Sequence, residues 1–305
     1  MRSYRLVSVP VLIVVLGAVT FSGALKLPDS ATGTLILFVP TKDGLVVAAD
    51  SRSNIAMGGN VTVPCDEAEK IAPLKHHKRT VVAVTGTDKS FHSDGQPASS
   101  DDPCKYFVSM RPVLDSTQVA LSYLDGQTGE ITKDVYTALE THFLQKVEAI
   151  QAEYPGTLSN NKDGAFASIV LGRYIPNDNL SVVAHFTVRI QPDGRPEISD
   201  RAWHEYRIAD ERRVEAMGES NFVKYYAVGD FGRKLLGAGH LERYGSYLNH
   251  TAISTATKDQ GSDAAVDLIQ SGEILSGRVP EGNTIGGPIH VFLLDKEHQK
   301  PLLLQ

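Results

Sequence analysis

The stretch ATGTLILFVPTKDGLVVAADSR constrains the fold more than any other part of the chain. It contains two apolar runs, Thr34–Val39 and Gly44–Asp50, with polar turn residues between them. Apolar runs on either side of such a turn predict a β-hairpin. Directly opposed residues of a hairpin have Cβ atoms about 5 Å apart. We therefore expect Thr34 to lie opposite Asp50 or Ser51, at one end of a sheet.

The rest of the pattern places strands early and late in the chain, with helices between them. The polar segment Asp88–Pro103 is predicted to be an exposed loop. Further strands are predicted at Lys70–Leu74, Arg79–Gly86, Ala165–Tyr174, Leu180–Ile190, Arg201–Ala209, Arg213–Gly218 and Gly287–Asp295. Helices are predicted at Tyr106–Leu124, Ile131–Ala152, Asn221–Leu236 and Ser262–Ser271. This order predicts one α+β domain, a four-layer αββα sandwich of two stacked antiparallel sheets covered by helices.

The N-terminus has the features of a targeting segment. A basic start precedes a run that stays uncharged from Leu6 to Leu25. Small residues at Ser22 and Ala24 suit cleavage by signal peptidase, so residues 1–24 are predicted to be a signal peptide. The chain would then be exported, to the periplasm or outside the cell, and would have no membrane attachment after cleavage. The alternative is an uncleaved N-terminal membrane anchor, because the run is just long enough to span a bilayer.

Charge and cysteine content narrow the classes of partner and cofactor. The net charge of −6, without any basic run, argues against binding to nucleic acid. Cys65 and Cys104 would form a disulfide in an oxidising compartment, and two free thiols remain the alternative. The histidines and cysteines lack the spacing of a metal site, so neither a metal nor another cofactor is predicted.

Four segments in order, GT, KDGLVVAADSR, EKIAPL and VVAVTGT, resemble proteasome β-type subunits and their bacterial relatives. These proteins are N-terminal nucleophile (Ntn) hydrolases. The resemblance is specific in the second segment and weaker over most of Gly33–Asp295. It implies that the Gly33–Thr34 bond is cut autolytically and that Thr34 becomes the nucleophile. Residues 25–33 would then be a propeptide, and residues 34–305 an Ntn-hydrolase-like domain.

The resemblance also assigns roles to the residues around Thr34. The freed α-amine would be the base, since a threonine hydroxyl is a poor nucleophile until its proton is removed. Lys70 would favour that deprotonation, Asp50 would orient Lys70, and the amide of Gly86 would stabilise the oxyanion. The alternatives are a solvated charge for Lys70 and a turn residue for Gly86. Thr32 is a competing nucleophile, but only Thr34 precedes Asp50 by the 16 residues usual in the family.

Three departures from the family pattern weaken the case for a catalytic threonine, and the loss of the family's Ser and Asp supports a second interpretation. The interval from Asp50 to Lys70 carries an insertion, and Glu219 stands where the family has a serine. The segment Gly282–Pro288 lacks the supporting Asp and Ser of the family. The alternative to a threonine-type hydrolase is therefore a catalytically inactive Ntn-fold subunit with a structural or assembly role.

The resemblance carries expectations about substrate and assembly. An active enzyme would cleave peptide or other amide bonds in a peptide or protein substrate. Family members assemble into rings, so a ring-like homo-oligomer is the expected assembly. No cofactor is needed, because the nucleophile and the base belong to the same residue.

Overall fold

The computed structural model describes residues 31–32, 34–56, 62–74, 77–86, 89–91, 104, 107–109, 133–153, 165–207, 214–218, 256–278 and 284–305. Within these ranges the chain is a mixed α/β protein with antiparallel sheets and two helices. The helices are α1 (Lys133–Glu153) and α2 (Lys258–Ser276). The strands are β1 (Ala31–Thr32), β2 (Leu35–Pro40), β3 (Gly44–Asp50), β4 (Ser53–Ala56), β5 (Thr62–Cys65), β6 (Ile71–Pro73), β7 (Thr80–Gly86), β8 (Lys89–Phe91), β9 (Phe107–Ser109), β10 (Ala165–Ile175), β11 (Leu180–Ile190), β12 (Pro196–Arg207), β13 (Glu215–Gly218), β14 (Ile289–Asp295) and β15 (Leu302–Leu303).

The opening hairpin forms the centre of one five-stranded sheet, in the order β13-β2-β3-β14-β15. Its register pairs Ile36 with Ala49 and Pro40 with Leu45. The turn is fixed by Thr41, whose hydroxyl accepts a hydrogen bond from the amide of Gly44 at 3.1 Å. Every residue of β2 and β3 is buried, as expected for central strands covered on both faces.

A second five-stranded antiparallel sheet has the order β12-β11-β10-β7-β6. Its long strands β10, β11 and β12 follow one another along the chain and pair as neighbours. The short strand β6 pairs with β7 and begins one residue after Lys70. This sheet therefore presents Lys70 at its margin.

Three apolar clusters divide the core, because alternate residues of each strand point to opposite faces. The middle cluster joins the two large sheets and includes Phe38, Val47, Ala83, Val170 and Val183. A second cluster packs α2 against the sheet of the hairpin, through residues such as Leu268 and Ile269 with Leu37 and Ala48. A third packs α1 against the other sheet, through residues such as Leu139 and Phe143 with Val84 and Phe186.

Helix α2 begins before the predicted segment Ser262–Ser271 because a capping box fixes its start. The Thr257 hydroxyl accepts from the amide of Gln260 at 3.2 Å, and the Gln260 side chain accepts from the amide of Thr257 at 3.0 Å. Within the described residues, neither helix is long and apolar enough to cross a membrane.

One helix prediction was wrong in part. Residues Phe107–Ser109, predicted to begin the helix Tyr106–Leu124, form strand β9. They pair with Lys89–Phe91, which lies inside the predicted loop Asp88–Pro103. A short apolar run does not distinguish a strand from a helix, and here the partner strand decides the outcome. The rest of that segment, and the predicted helix Asn221–Leu236, lie outside the described residues.

A small third sheet, in the order β1-β4-β5, lies next to the start of the hairpin. In it Ala31 pairs with Ile55 and Thr32 with Asn54, antiparallel. Residues 31–32 are therefore held as an extended strand along β4.

Candidate active site

The centre of the candidate site is an ion pair between two fully buried side chains. The Nζ of Lys70 lies 3.1 Å from Oδ1 of Asp50, and neither side chain is exposed to solvent. Asp50 is the last residue of β3, whereas Lys70 directly precedes β6 in the other large sheet. Removing two charges from water is costly unless they are paired and hydrogen-bonded. Each of the two charges therefore offsets the cost of burying the other.

Four donors hold the carboxylate of Asp50. Its Oδ1 accepts from the amide of Leu35 at 2.7 Å and from Lys70. Its Oδ2 accepts from the amide of Arg52 at 3.2 Å and from the amide of Gly286 at 3.1 Å. Backbone donors on three separate segments thus fix the orientation of the carboxylate.

Lys70 is held at both ends. Its Nζ also donates to the carbonyl oxygen of Arg52. Its own carbonyl oxygen accepts from the amide of Val84, on β7, at 2.8 Å. The ammonium is therefore fixed between the end of β3 and Arg52, two residues further on, while the main chain of Lys70 is tied to the second sheet.

Thr34 is buried, with 1% of its surface exposed, and directly precedes Leu35. Its carbonyl lies against Gly218, the last residue of β13, which has φ +77°. A Cβ added at Gly218 would lie 2.1 Å from the carbonyl oxygen of Thr34 and 3.4 Å from Cβ of Thr85. Only glycine combines this backbone conformation with so close an approach. Gly218 therefore brings the main chain of Thr34 close to the end of β7.

Gly86 ends β7, one residue after Thr85, and has φ +85°. A Cβ at this position would lie 2.9 Å from the carbonyl oxygen of Phe166. Both the conformation and the space require glycine here, independently of any catalytic role. Gly33, the other half of the bond predicted to be cut, lies outside the described residues.

The structure thus brings together most of the residues that the sequence singled out. Asp50 and Lys70 are in contact, and the amide next to Thr34 binds the same oxygen of Asp50 that Lys70 binds. Gly86 adjoins Thr85, which faces Gly218 beside Thr34. The competing Thr32 lies in β1 and pairs with β4.

Cys65 and Cys104 form a disulfide, with their Cα atoms 5.8 Å apart. Cys65 is the last residue of β5 and is 2% exposed. It lies opposite Ser53 in the sheet, and Ser53 is two residues after Ser51 in the chain. The crosslink therefore fastens the β4–β5 hairpin next to the site.

Sequence reasoning missed the main-chain contributors to the site, which are the amides of Leu35, Arg52 and Gly286 and the carbonyl of Arg52. Such main-chain groups leave little trace in a sequence. The one available signal was the Gly-Gly pair in IGGP, since adjacent glycines often mark a close approach of backbone.

One described group could offer ligands to a cation, although no metal site was predicted. Atoms of Asp295, Glu297 and His298 lie within 4.8 Å of one another. The ammonium of Lys258 already lies 3.9 Å from the carboxylate of Asp295 and 3.5 Å from that of Glu297. Asp295 also accepts from the amides of Glu297 and His298. The group is therefore explained as a turn cap with a cation of its own.

Comparison of the chain with known protein families and with curated proteins found no match. The chemistry of the site must therefore be argued from its own residues. A buried ammonium, a carboxylate fixed by four donors and a threonine at the adjoining strand entrance provide the parts for nucleophilic catalysis.

Proposed function

We propose that this chain is a threonine-type hydrolase that frees its own nucleophile by cutting the Gly33–Thr34 bond. The observation that carries the proposal is the sharing of one oxygen of Asp50 by Lys70 and the amide next to Thr34. A fully buried ammonium needs a reason to be retained, because an apolar pair of similar volume is often at least as stable. Lowering the cost of deprotonating a threonine hydroxyl is such a reason.

The self-cleavage step uses only the chain and water. The Thr34 hydroxyl oxygen attacks the carbonyl carbon of Gly33, its proton passes to the departing amine, and the peptide becomes an ester. Water then hydrolyses the ester, which leaves a carboxylate on Gly33 and a free α-amine on Thr34. The pairing of Thr32 with Asn54 supports this step, since it holds the chain before Gly33 extended.

The mature reaction would repeat the same chemistry on a peptide or amide substrate. The α-amine of Thr34 takes the hydroxyl proton, the oxygen attacks the substrate carbonyl, and the proton passes to the leaving amine. Water hydrolyses the resulting ester. Lys70 lowers the energy of the developing alkoxide, Asp50 keeps Lys70 in place, and the amide of Gly86 is the proposed donor to the oxyanion.

A four-layer αββα arrangement of the Ntn type fits this proposal. It is supported by three apolar clusters, one between the large sheets and one between each sheet and a helix. We also infer export by the signal peptide, with a peptide or protein substrate. A ring-like homo-oligomer follows from the family resemblance alone.

The alternative is an inactive subunit of the same fold, which the departures Glu219 and Gly282–Pro288 favour. A threonine-directed electrophile separates the two functions. Thr34 is 1% exposed in the uncleaved chain, so the reagent should modify only chains that begin at Thr34. Thr34→Ala should abolish modification and peptide hydrolysis, whereas Thr34→Ser, which keeps a hydroxyl, should retain part of both. A wild-type chain that starts at Thr34 and neither reacts nor hydrolyses peptides would favour the inactive subunit.

A further inference from the structure

A second ion pair lies beside the site, between Arg52 and Asp66. The guanidinium donates from Nε to Oδ1 at 2.6 Å and from Nη2 to Oδ2 at 2.9 Å. Two parallel hydrogen bonds of this kind fix direction as well as distance. The pairing raises the pKa of Arg52 and lowers the pKa of Asp66, chiefly through the hydrogen bonds between the two side chains. The Arg52 side chain is 12% exposed, so the pair is partly shielded from solvent.

The main chain of Arg52 touches both members of the buried ion pair. Its amide donates to Oδ2 of Asp50 at 3.2 Å, and its carbonyl oxygen accepts from Nζ of Lys70. Any displacement of the Arg52 main chain would therefore disturb the carboxylate and the ammonium together. The side chain of Arg52 is what holds this residue to the neighbouring segment.

The same side chain also supports the Gly286 segment. A Cβ added at Gly286 would lie 2.5 Å from Cζ of Arg52, and one at Gly287 would lie 3.0 Å from Cβ of Asp66. The two glycines therefore pack directly on the ion pair. Since the amide of Gly286 donates to Asp50, the ion pair supports two of the four donors of that carboxylate.

The main chain on both sides of Asp66 is held in place by contacts to neighbouring residues. Asp66 follows Cys65, which is buried, paired with Ser53 and crosslinked to Cys104. Two residues further on, the amide of Ala68 donates to the carbonyl oxygen of Ser51 at 3.0 Å. Asp66 is thus held on both sides by contacts to residues 51–53, which adjoin the site.

We propose that Asp66 is a positioning residue, which holds Arg52 and Gly286 so that Lys70 and Asp50 stay aligned and shielded from solvent. The structural part of this proposal is independent of catalysis. Its consequence for self-cleavage rests on the proposed function. The segment between Asp50 and Lys70, which departs from the family pattern by an insertion, therefore supplies support for the site.

The direct test measures how well Lys70 is shielded. Acetic anhydride modifies exposed amines, and mass spectrometry reads the extent of modification at each lysine. The measurement uses the full-length Thr34→Ala chain, which stays uncut. Asp66→Asn should raise the rate of Lys70 modification on the order of tenfold, because a hydrogen bond to a charged group is worth at least about that factor. Glu67→Gln, an exposed neighbour in the same turn, should leave it unchanged.

A second measurement concerns self-cleavage with Thr34 intact. Asp66→Asn should slow the appearance of the Thr34 N-terminus on the order of tenfold, and Asp66→Glu should recover part of the rate. A chain that never cuts itself would contradict the proposed function, whereas the labelling of Lys70 would still decide the role of Asp66. If Asp66→Asn does not fold, Arg52→Lys replaces it, because lysine keeps the charge but cannot make the double hydrogen bond. Wild-type rates of Lys70 modification in a folded variant would overturn the proposal.

Discussion

The Nζ of Lys70 and the carboxylate of Asp50 meet 3.1 Å apart in a place where neither side chain is exposed. They come from different sheets, so the contact joins the two halves of the core. The same oxygen of Asp50 also accepts a hydrogen bond from the amide of Leu35, the residue that follows Thr34. This relationship explains why the second strand of the hairpin ends with aspartate, whose carboxylate binds both the ammonium and the amide at the start of β2.

The two single changes that break the Lys70–Asp50 pair should together cost more stability than the double change that removes both charges. Lys70→Met leaves the charge of Asp50 buried and should lower the free energy of unfolding by about 3–5 kcal/mol. The double variant Lys70→Met with Asp50→Asn should cost less than the sum of the single changes, by roughly 0.5–3 kcal/mol. Urea unfolding of the four proteins measures this coupling. Lys78→Met, at an exposed position, is the control and should change stability by about 0.5 kcal/mol or less. Additive single changes would contradict the pairing.

Replacing Gly218 by alanine should cost more stability than replacing another glycine that also has a positive φ. Gly194 has φ +85°, and a Cβ there would meet only the Gln151 side chain, at 3.4 Å. Gly194→Ala should therefore cost about 1–2 kcal/mol from backbone strain alone. Gly218→Ala adds a clash with the carbonyl of Thr34 and should cost roughly 1–3 kcal/mol more. Equal losses in urea unfolding would mean that Gly218 does not pack against Thr34.

Glu140 should give stability a pH dependence of defined sign. It is buried on α1, its carboxylate lies 3.0 Å from Nε of Arg201, and burial raises its pKa. The folded state therefore binds the proton more tightly than the unfolded state does. Stability should fall, relative to Glu140→Gln, as the pH rises from the ordinary glutamate value to the raised one. The exposed Glu148→Gln is the control, and its difference from wild type should not follow this course. If the stability of the wild type relative to Glu140→Gln rose over this pH range, the burial of Glu140 would be contradicted.

The disulfide should contribute to the stability of the folded chain. Cys65 and Cys104 are separated by 39 positions, and closing a loop of that length is worth about 4 kcal/mol in the chain-entropy account. Replacing both cysteines with serine should lower the free energy of unfolding by about this amount and remove any effect of a reductant. A wild-type protein whose unfolding does not respond to a thiol reductant, and matches the double variant, would show that the bond does not form.

The hairpin was predictable because two apolar runs around a turn leave few other structures, and β3 begins and ends where the pattern placed it. The contact of Asp50 with Lys70 followed only from the family resemblance, since the two residues lie on different sheets and are 20 positions apart. The strand Phe107–Ser109 was mistaken for helix because its partner, Lys89–Phe91, comes from a segment with loop composition. Main-chain donors such as the amide of Gly286 leave little trace in a sequence, because every residue except proline carries an N–H.

The Asp66 support was also invisible in the sequence. Its partner Arg52 is the last residue of the segment KDGLVVAADSR. The ion pair, however, depends on the pairing of β4 with β5, which places Asp66 beside Arg52. The sequence indicated only a departure from the resembling family in this segment, and it did not predict the pairing of β4 with β5. Only the folded structure shows that Asp66 pairs with Arg52 beside the site.

The N-terminal residue of the mature protein tests the central claim most directly. The full-length chain, produced in a host that exports it, is purified and its mass measured intact, beside Thr34→Ala. The proposed function predicts a wild-type chain that begins at Thr34 and a Thr34→Ala chain that keeps the residues before it. A wild-type chain that begins at Leu25 and never at Thr34 would contradict the proposed function.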